Sequence, residues 1–284
     1  MRIVVVTGER IDSPCTRYLL GLLQREFGLV GIVKTSRHGK PSRTLRYLNT
    51  LKKEGLFKGM DQIAGVVPNT IFHKIVWRLV EQRIETLLNR EDLKNVSITH
   101  GGQINSLQSV QAIRQYMPDV LFQCGAGIIK HATFNAARMG MVNLHHGIIP
   151  AIRGVMSAIW AARELQPLWL GASAHLIDEG IDTGAVLAQG RPQVNKGATL
   201  IDVLTNLQIV GGKVLIEAFR ALKDNLTPAP SPKGVTSHYR STLTFWDWVC
   251  FFANKRRFLR MLYGQKEIIT VGHYLSQPKG YLLQ

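Results

Sequence analysis

The sequence predicts an α/β protein built on a Rossmann-like, mostly parallel sheet flanked by helices, with a short carboxyl-terminal extension. Three observations carry this expectation. The chain opens on an apolar strand, an amphipathic helix and a second apolar strand, the β-α-β order that feeds parallel sheets. Short apolar runs then alternate with stretches of helical period. A polar motif follows directly on one of those runs, at the carboxyl end of a strand, where open α/β sheets bind ligands.

The elements follow in order. Ile3 to Val6 reads as a buried strand, because all four residues are β-formers without alternation. A helix is expected from about Ser13 to Phe27, with Leu19, Leu20, Leu22 and Leu23 on its apolar face and Gly28 as its stop. Leu29 to Val33 is the second strand. Gly8 follows the first strand without a G-x-G-x-x-G pattern, which speaks against a dinucleotide site. Residues 35–68 read as a basic, irregular insertion, helical only near Leu45 to Lys53. Thr70 to Arg90 has helical periodicity through Ile71, Ile75, Leu79, Ile84 and Leu88. Val96 to Thr99 is read as a strand, His100 to Asn105 as polar loop, Ser106 to Tyr116 as helix and Val120 to Cys124 as strand. The turn Gly125-Ala126-Gly127 follows. Gly140 to Leu144 is the next strand. Thr199 to Leu226 is a long amphipathic helix that runs out at Asn225 and the proline-rich stretch Pro228 to Pro232. The catalytic domain is expected to span 1–227 and the extension 228–284.

Composition bounds the partners. The 284 residues carry a formal charge of +16, concentrated in two clusters. One runs through Lys34, Arg37, Lys40, Arg43, Arg46, Lys52, Lys53 and Lys58, and the other is Lys255, Arg256, Arg257 and Arg260. Such charge admits phosphate-bearing substrates, nucleic acid or an anionic membrane surface. Cys15, Cys124 and Cys250 show neither metal spacing nor a disulfide framework, as expected of buried thiols in a reducing cytoplasm. No apolar run has the length of a membrane span, and the amino terminus lacks the layout of a signal peptide.

The chemistry gathers in two stretches. Asn143, His145 and His146 lead through Gly147 to Pro150, Arg153 and Gly154. Asn143 and His145 are two apart on a strand and so share a side. About thirty residues later, Gly171 to Ile177 alternates small and large residues around Ser173 and His175. A turn follows with Asp178, Glu179, Asp182 and Gly184, and then a strand from Ala185 to Gln189.

These stretches resemble the formyltransferase family, which includes the methionyl-tRNA, glycinamide ribonucleotide and sugar-nucleotide enzymes and the formyltetrahydrofolate hydrolases. The family pattern is Asn-x-His-x-Ser-Leu-Leu-Pro, then Gly-x-Thr-x-His, then Asp-x-Gly with a later Gln. The matching positions are Asn143, His145, Pro150, Gly171, His175, Asp182, Gly184 and Gln189. Gly147 stands for the usual Ser, Ile148-Ile149 for Leu-Leu, and Ser173 for Thr. The resemblance covers roughly residues 118–193 well.

The resemblance implies the formyltransferase fold, N10-formyltetrahydrofolate as donor substrate, no metal, and Asn143, His145 and Asp182 as catalytic residues. It implies a folate pocket lined by Gln123, Gly125, Gly127, Ile128, Ile129 and Asp178. His146, Gly147, Arg153 and His175 are expected on the acceptor side, with His175 orienting the Asp182 loop. Tyr239 and Arg240, ahead of Trp246 and Trp248, loosely resemble a stretch of the sugar-nucleotide enzymes that lies against the acceptor. The expected acceptor is therefore a phosphate-bearing small amine, above all a nucleotide-linked amino sugar. Glycinamide ribonucleotide, methionyl-tRNA and simple hydrolysis of the folate are the enzymatic alternatives. Gly8-Glu9-Arg10 does not match the Gly-Ser-Asn stretch of the glycinamide enzymes, and fewer than sixty residues follow Leu226, short of the barrel domain of the tRNA enzymes. A basic RNA- or membrane-binding module is the non-enzymatic alternative, and a homo-oligomer is compatible with the sequence. The segment from Thr244 to Tyr263, rich in aromatics and cations, is expected to dock its apolar side on the catalytic domain.

Overall fold

The computed structural model describes residues 1–8, 11–36, 43–89, 91–229 and 236–275, without the side chains before Tyr47 in its second helix. Glu9, Arg10, Arg37, Lys40 and the prolines beyond Pro228, all singled out above, lie outside the described residues, as do the side chains of Arg43 and Arg46.

Eight strands form one sheet. They are β1 (Ile3–Thr7), β2 (Leu29–Ser36), β3 (Ile98–Gln103), β4 (Val120–Cys124), β5 (Met141–His145), β7 (Ala172–Leu176), β8 (Val186–Arg191) and β10 (Ile268–Val271), in the order β10-β8-β7-β5-β4-β1-β2-β3. The pairings among β3, β2, β1, β4 and β5 are all parallel. Those of β5 with β7, β7 with β8 and β8 with β10 are antiparallel. A small second sheet pairs β6 (Ile152–Gly154) with β9 (His238–Arg240) in parallel.

Strand β1 lies between β4 and β2, and every one of its residues is buried. Its side chains alternate between two cores: Ile3 and Val5 face one, Val4 and Val6 the other. Both faces of the parallel sheet are therefore covered, which is why the strand reads as an unbroken apolar run. The larger core is closed by α1 (Pro14–Phe27) and α9 (Leu200–Lys223), and the smaller by α6 (Leu107–Arg114). Ser13 caps α1 by accepting from the Thr16 N–H, Pro14 sits in its first turn, and Gly28 ends it at φ 73°. Thr199 and Asp202 form a capping box at the start of α9, which lies along β7 and β8 and buries Phe219 against Phe122 and Phe27.

Three regions differ from the sequence reading. The insertion is mostly helical: α2 (Arg43–Glu54), α3 (Leu56–Ala64) and α4 (Val66–Phe72) occupy most of residues 43–72. Among their described large apolar residues Phe72 is buried and the others are exposed or half-buried, so no apolar stripe marks these helices in the sequence. A π-helical turn (His73–Trp77) then leads into α5 (Arg78–Glu85). Second, β3 includes the polar stretch His100 to Gln103, because an edge strand needs no apolar outer face. Third, α7 (His131–Phe134), β6, α8 (Ser157–Arg163), β9 and β10 are too short or too irregular in pattern to be read. Among these, β10 joins the main sheet, so the segment after residue 228 contributes to the architecture of the preceding part.

Helix α10 (Phe245–Leu262) begins with a second capping box, Thr244 with Asp247, and packs on α8 and on the α3–α4 region. It buries Trp248, Phe251, Phe258 and Leu262, the docking expected from its apolar side. The three cysteines are free, and burial raises the Cys15 thiol to about 12.

Phe219 is fully buried. Phe219→Ala is expected to cost about 3–5 kcal/mol of stability, through lost transfer energy and a cavity between α9 and the sheet. A urea titration with an unchanged slope and a lower midpoint would show it.

Candidate active site

The carboxyl ends of β4 and β5 and the turn after β7 open onto a cavity of about 600 Å³, a size that suits a cofactor-sized ligand. Gln123, Gly125, Gly127, Ile128, Ile129, Asn143, His145, His146, His175, Asp178, Asp182 and Tyr239 all line it. Gly147, Arg153 and Arg240 do not.

Asp182 is the hub. Its backbone sits at φ 52°, a left-handed conformation that aspartate tolerates. Oδ2 accepts from the Gly154 N–H at 2.9 Å and lies 3.3 Å from His145 Nδ1. Oδ1 accepts from Asn143 Nδ2 at 3.3 Å and lies 3.5 Å from His175 Nε2. Register explains the convergence, since Asn143 pairs with His175 across β5 and β7 and His145 pairs with Ser173. Burial by itself would raise the Asp182 pKa, but the contact with His175, the charge of His145 and the Gly154 N–H outweigh it and lower it to about 2.

Burial is also the largest influence on His145, and it lowers the pKa despite Asp182. At neutral pH the pair is thus a carboxylate beside a neutral imidazole. With Nδ1–H directed at the carboxylate, His145 Nε2 accepts from the Ser157 hydroxyl at 3.2 Å. His175 Nδ1–H donates to the Leu176 carbonyl at 2.8 Å, and Nε2 stands between the Asn143 amide at 3.2 Å and Asp182 Oδ1 at 3.5 Å.

Ser157 was not legible as a site residue. It opens α8 in an otherwise apolar stretch, and nothing in its neighbourhood marks it. One signal does exist, the Gly at position 147 where the resembling family has Ser. A Cβ at 147 would stand 2.6 Å from His145 Nε2 and 2.9 Å from the Ser157 Cβ. The glycine leaves the space that Ser157 occupies, so a hydroxyl reaches His145 from a different element.

The remaining expected residues divide. Gln123 donates to the Gly127 carbonyl at 3.1 Å and shapes the turn, in which Gly125 and Gly127 both have positive φ. Asp178 braces its own turn, accepting from the Gly180 N–H at 3.0 Å and the Thr183 hydroxyl at 2.6 Å. His146 Nε2 is buried without a partner, and burial lowers its pKa to about 4. Tyr239 stands half exposed at the rim. Arg153 lies beside the cavity and holds the Asp182 loop, donating to the Ile181 carbonyl at 3.2 Å and to Ser237 at 2.7 Å. Arg240 turns away: it stacks on Trp160 at 5.2 Å and pairs with Glu164 at 3.3 Å, so its charge is already met. Ser173 and Gln189, both in the motif, form a buried brace. Ser173 Oγ donates to the Gly147 carbonyl at 2.7 Å, and Gln189 Nε2 donates to the Ile149 carbonyl at 2.7 Å. Among the described residues no group of three or more His, Cys, Asp or Glu is placed to hold a metal ion.

Residues 47–219, more than half of the chain, match the family model for formyl transferase, and the chain belongs to that family. It is 34% identical over 142 residues to methionyl-tRNA formyltransferase of Corynebacterium glutamicum, covering 48% of this chain and 44% of that protein. The corresponding enzyme of Myxococcus xanthus is 30% identical over 141 residues, covering 49% and 45%. The chain thus spans just under half the length of these relatives. A sugar N-formyltransferase from Shewanella superposes with a TM-score of 0.50 at 15% identity, over 85% of this chain and 77% of that one, a likeness of fold.

The site carries an acid-sensitive share of stability. An aspartate in the unfolded chain takes up its proton near pH 4, whereas folded Asp182 holds out to about 2. This stability is present above the unfolded value and is lost as pH falls toward the folded one. His146, neutral in the fold with a pKa of about 4 against an ordinary 6.5, acts in the same direction at higher pH. Denaturant midpoints are expected to hold steady above about pH 7 and to decline below it. His146→Gln should shrink the upper part of the decline, to which buried His145 also contributes, and Asp182→Asn should shrink the lower part. An identical pH profile in both variants and the parent would contradict the assignment.

Proposed function

We propose that this protein transfers a formyl group from N10-formyltetrahydrofolate to an amine of a phosphate-bearing small molecule, with a nucleotide-linked amino sugar as the leading class. The observation that carries the proposal is the convergence of Asn143, His145 and Asp182 on one wall of the cavity. Membership of the formyl transferase family and the fold shared with a sugar N-formyltransferase support it. The cavity suits the donor in volume, and its wall between Gln123 and Ile129 includes Gly125 and Gly127, whose bare backbone suits a flat heterocycle with several hydrogen-bonding edges.

The chemistry assigned to each residue follows from its contacts. As the acceptor amine attacks, charge gathers on the formyl oxygen, and Asn143 on the cavity wall is the neutral donor assigned to it. Both of its present hydrogen bonds are long, at 3.2 and 3.3 Å, so the amide can give one up at small cost. Losing such a donor typically costs on the order of 10² to 10³ in rate. The attacking amine must also lose a proton, and N10 of the donor must gain one as its bond to the formyl carbon breaks and tetrahydrofolate leaves. Asp182, with its lowered pKa, is a weak base alone, but its partner His145 is neutral and 3.3 Å away, so the pair shares the proton. Ser157 holds His145 in the tautomer whose Nδ1–H faces Asp182.

A second reading has its own support. The relatives matched by sequence act on methionyl-tRNA, and a charge of +16 suits a polyanionic acceptor. Incubation with the formyl donor and a panel of nucleotide-linked amino sugars, glycinamide ribonucleotide and methionyl-tRNA, read by mass, separates the two. Formylation of none of them would overturn the proposal.

Asp182→Asn and His145→Ala are each expected to lower turnover at least about 10²-fold while leaving the fold intact by circular dichroism. Near-normal turnover of either would remove it from the machinery. Ser157→Ala is expected to cost about tenfold and to move the acidic limb of the rate–pH profile upward, because the lost hydroxyl donor favoured the neutral imidazole. An unchanged limb would make Ser157 a packing residue only.

A further inference from the structure

The insertion helices and α10 leave an apolar surface in solvent that neither the cavity nor the core accounts for. On α3, Leu56, Phe57 and Met60 are exposed, Phe57 at 89% of its full area. Val67 and Ile71 on α4 and Ile75 in the π-helical turn continue it. On α10, Phe245, Trp246 and Phe252 are exposed although the opposite side of that helix is buried, Trp246 at 61%. These elements adjoin. The Trp246 N–H donates to Asp61 Oδ1 at 2.9 Å, Asn69 Nδ2 donates to the Leu243 carbonyl at 2.8 Å, and Phe72 packs on Trp248 with ring centroids 5.2 Å apart. A monomer surface rarely leaves this many large apolar side chains together without a partner.

The charges around them select the partner. Lys58, Lys74, Arg256 and Arg257 lie on the same elements and are exposed, as are Lys52 and Lys53 on α2, which packs on α3, and Arg78 at the start of α5. The acids beside them are fewer: Glu54 pairs with Lys58 at 2.9 Å and lies 3.9 Å from Lys53, Asp61 accepts from the Trp246 N–H, and Asp247 pairs with Arg163 at 3.1 Å, so the cations stay in excess. We propose that this face of α3, α4, the π-helical turn and α10 docks on an anionic lipid surface, with Phe57, Trp246 and Phe252 entering the headgroup region and the lysines and arginines meeting lipid phosphates. Phenylalanine, tryptophan and leucine beside a lysine- and arginine-rich border are the composition of interfacial helices. A second copy of the chain fits less well, because pairing the two apolar faces would bring two basic borders together on proteins of charge +16. Nucleic acid would use the cations and leave aliphatic Leu56, Met60, Val67, Ile71 and Ile75 wet. No membrane-crossing helix exists among the described residues, so the contact is peripheral. The same helical stretch lends Phe72, His73 and Trp77 to the cavity wall, which places the docking face next to the site. The inference does not depend on the reaction proposed above.

The test is sedimentation of the full chain with vesicles of phosphatidylcholine alone and of phosphatidylcholine mixed with phosphatidylglycerol. Binding is expected only to the mixed vesicles, weakening as salt is raised. The double variant Phe57→Glu, Trp246→Glu should lower the bound-to-free ratio by about tenfold or more, and Lys52→Glu with Lys53→Glu should lower it and flatten the salt dependence. All four side chains are exposed, so melting curves should match the parent. Leu107→Glu, an equally exposed apolar position on α6, should bind as the parent does. The proposal fails if the parent ignores both vesicle types, or if the apolar variants bind like the parent. It also fails if analytical ultracentrifugation shows a dimer that Phe57→Glu dissociates, or if a polyuridine oligonucleotide binds the parent more tightly than the mixed vesicles do.

Discussion

The buried carboxylate of Asp182 joins three parts of the chain that the sheet alone would leave independent. One oxygen reaches the β6–α8 region through the Gly154 N–H and also faces His145 on β5. The other meets Asn143 on β5 and His175 on β7. A charge this buried is tolerable because both oxygens have polar partners. Satisfying them fixes the turn after β7, the rotamers of two histidines and the position of the small β6–β9 sheet. The cavity keeps its shape for the same reason, since its floor and one wall are tied to a single group.

The antiparallel half of the sheet makes this arrangement possible. In a purely parallel sheet the strand after β5 would return with its carboxyl end at the same rim, separated from β5 by a crossover. Here β7 runs the other way, so His175 lies directly across from Asn143, and the turn carrying Asp182 closes over the end of β5. The brace formed by Ser173 and Gln189 uses the same register to hold the Gly147 to Pro150 path from beneath. Polar residues inside these strands are thus fastenings for a loop, and their burial is matched by hydrogen bonds.

Sequence made much of this legible, and its failures have physical causes. β1, α1, β4, β5 and α9 announce themselves because each buries a face whose period matches its backbone. The cluster around Asp182 was reached through motif spacing, whereas the cavity wall from Gln123 to Ile129 followed only from the family resemblance, because backbone lining leaves no side-chain pattern. The insertion helices were not read as such, because helices with outward apolar residues carry no contrast between a wet and a dry side. β6, β9 and β10 are three or four residues long and owe their existence to partners distant in the chain. Arg153 and Arg240 illustrate a different limit. Their type suited a phosphate, but whether a cation is free depends on neighbours such as Ser237, Glu164 and Trp160 that only folding brings close.

Strand β10 bears on the order in which the molecule assembles. It completes the sheet beside β8, and the Leu275 N–H, just beyond it, donates to Gln189 Oε1 at 3.0 Å, the side chain whose other end holds the Ile149 carbonyl. Synthesis proceeds from the amino end, so β1 to β8 and α9 exist before this strand does. Until it arrives, the edge of β8 offers unpaired backbone to any extended segment nearby, and the Gln189 amide is fastened on one side only. A nascent chain therefore holds a nearly finished cavity with an open seam until β10 emerges, pairs with β8 and sets the brace beneath the site.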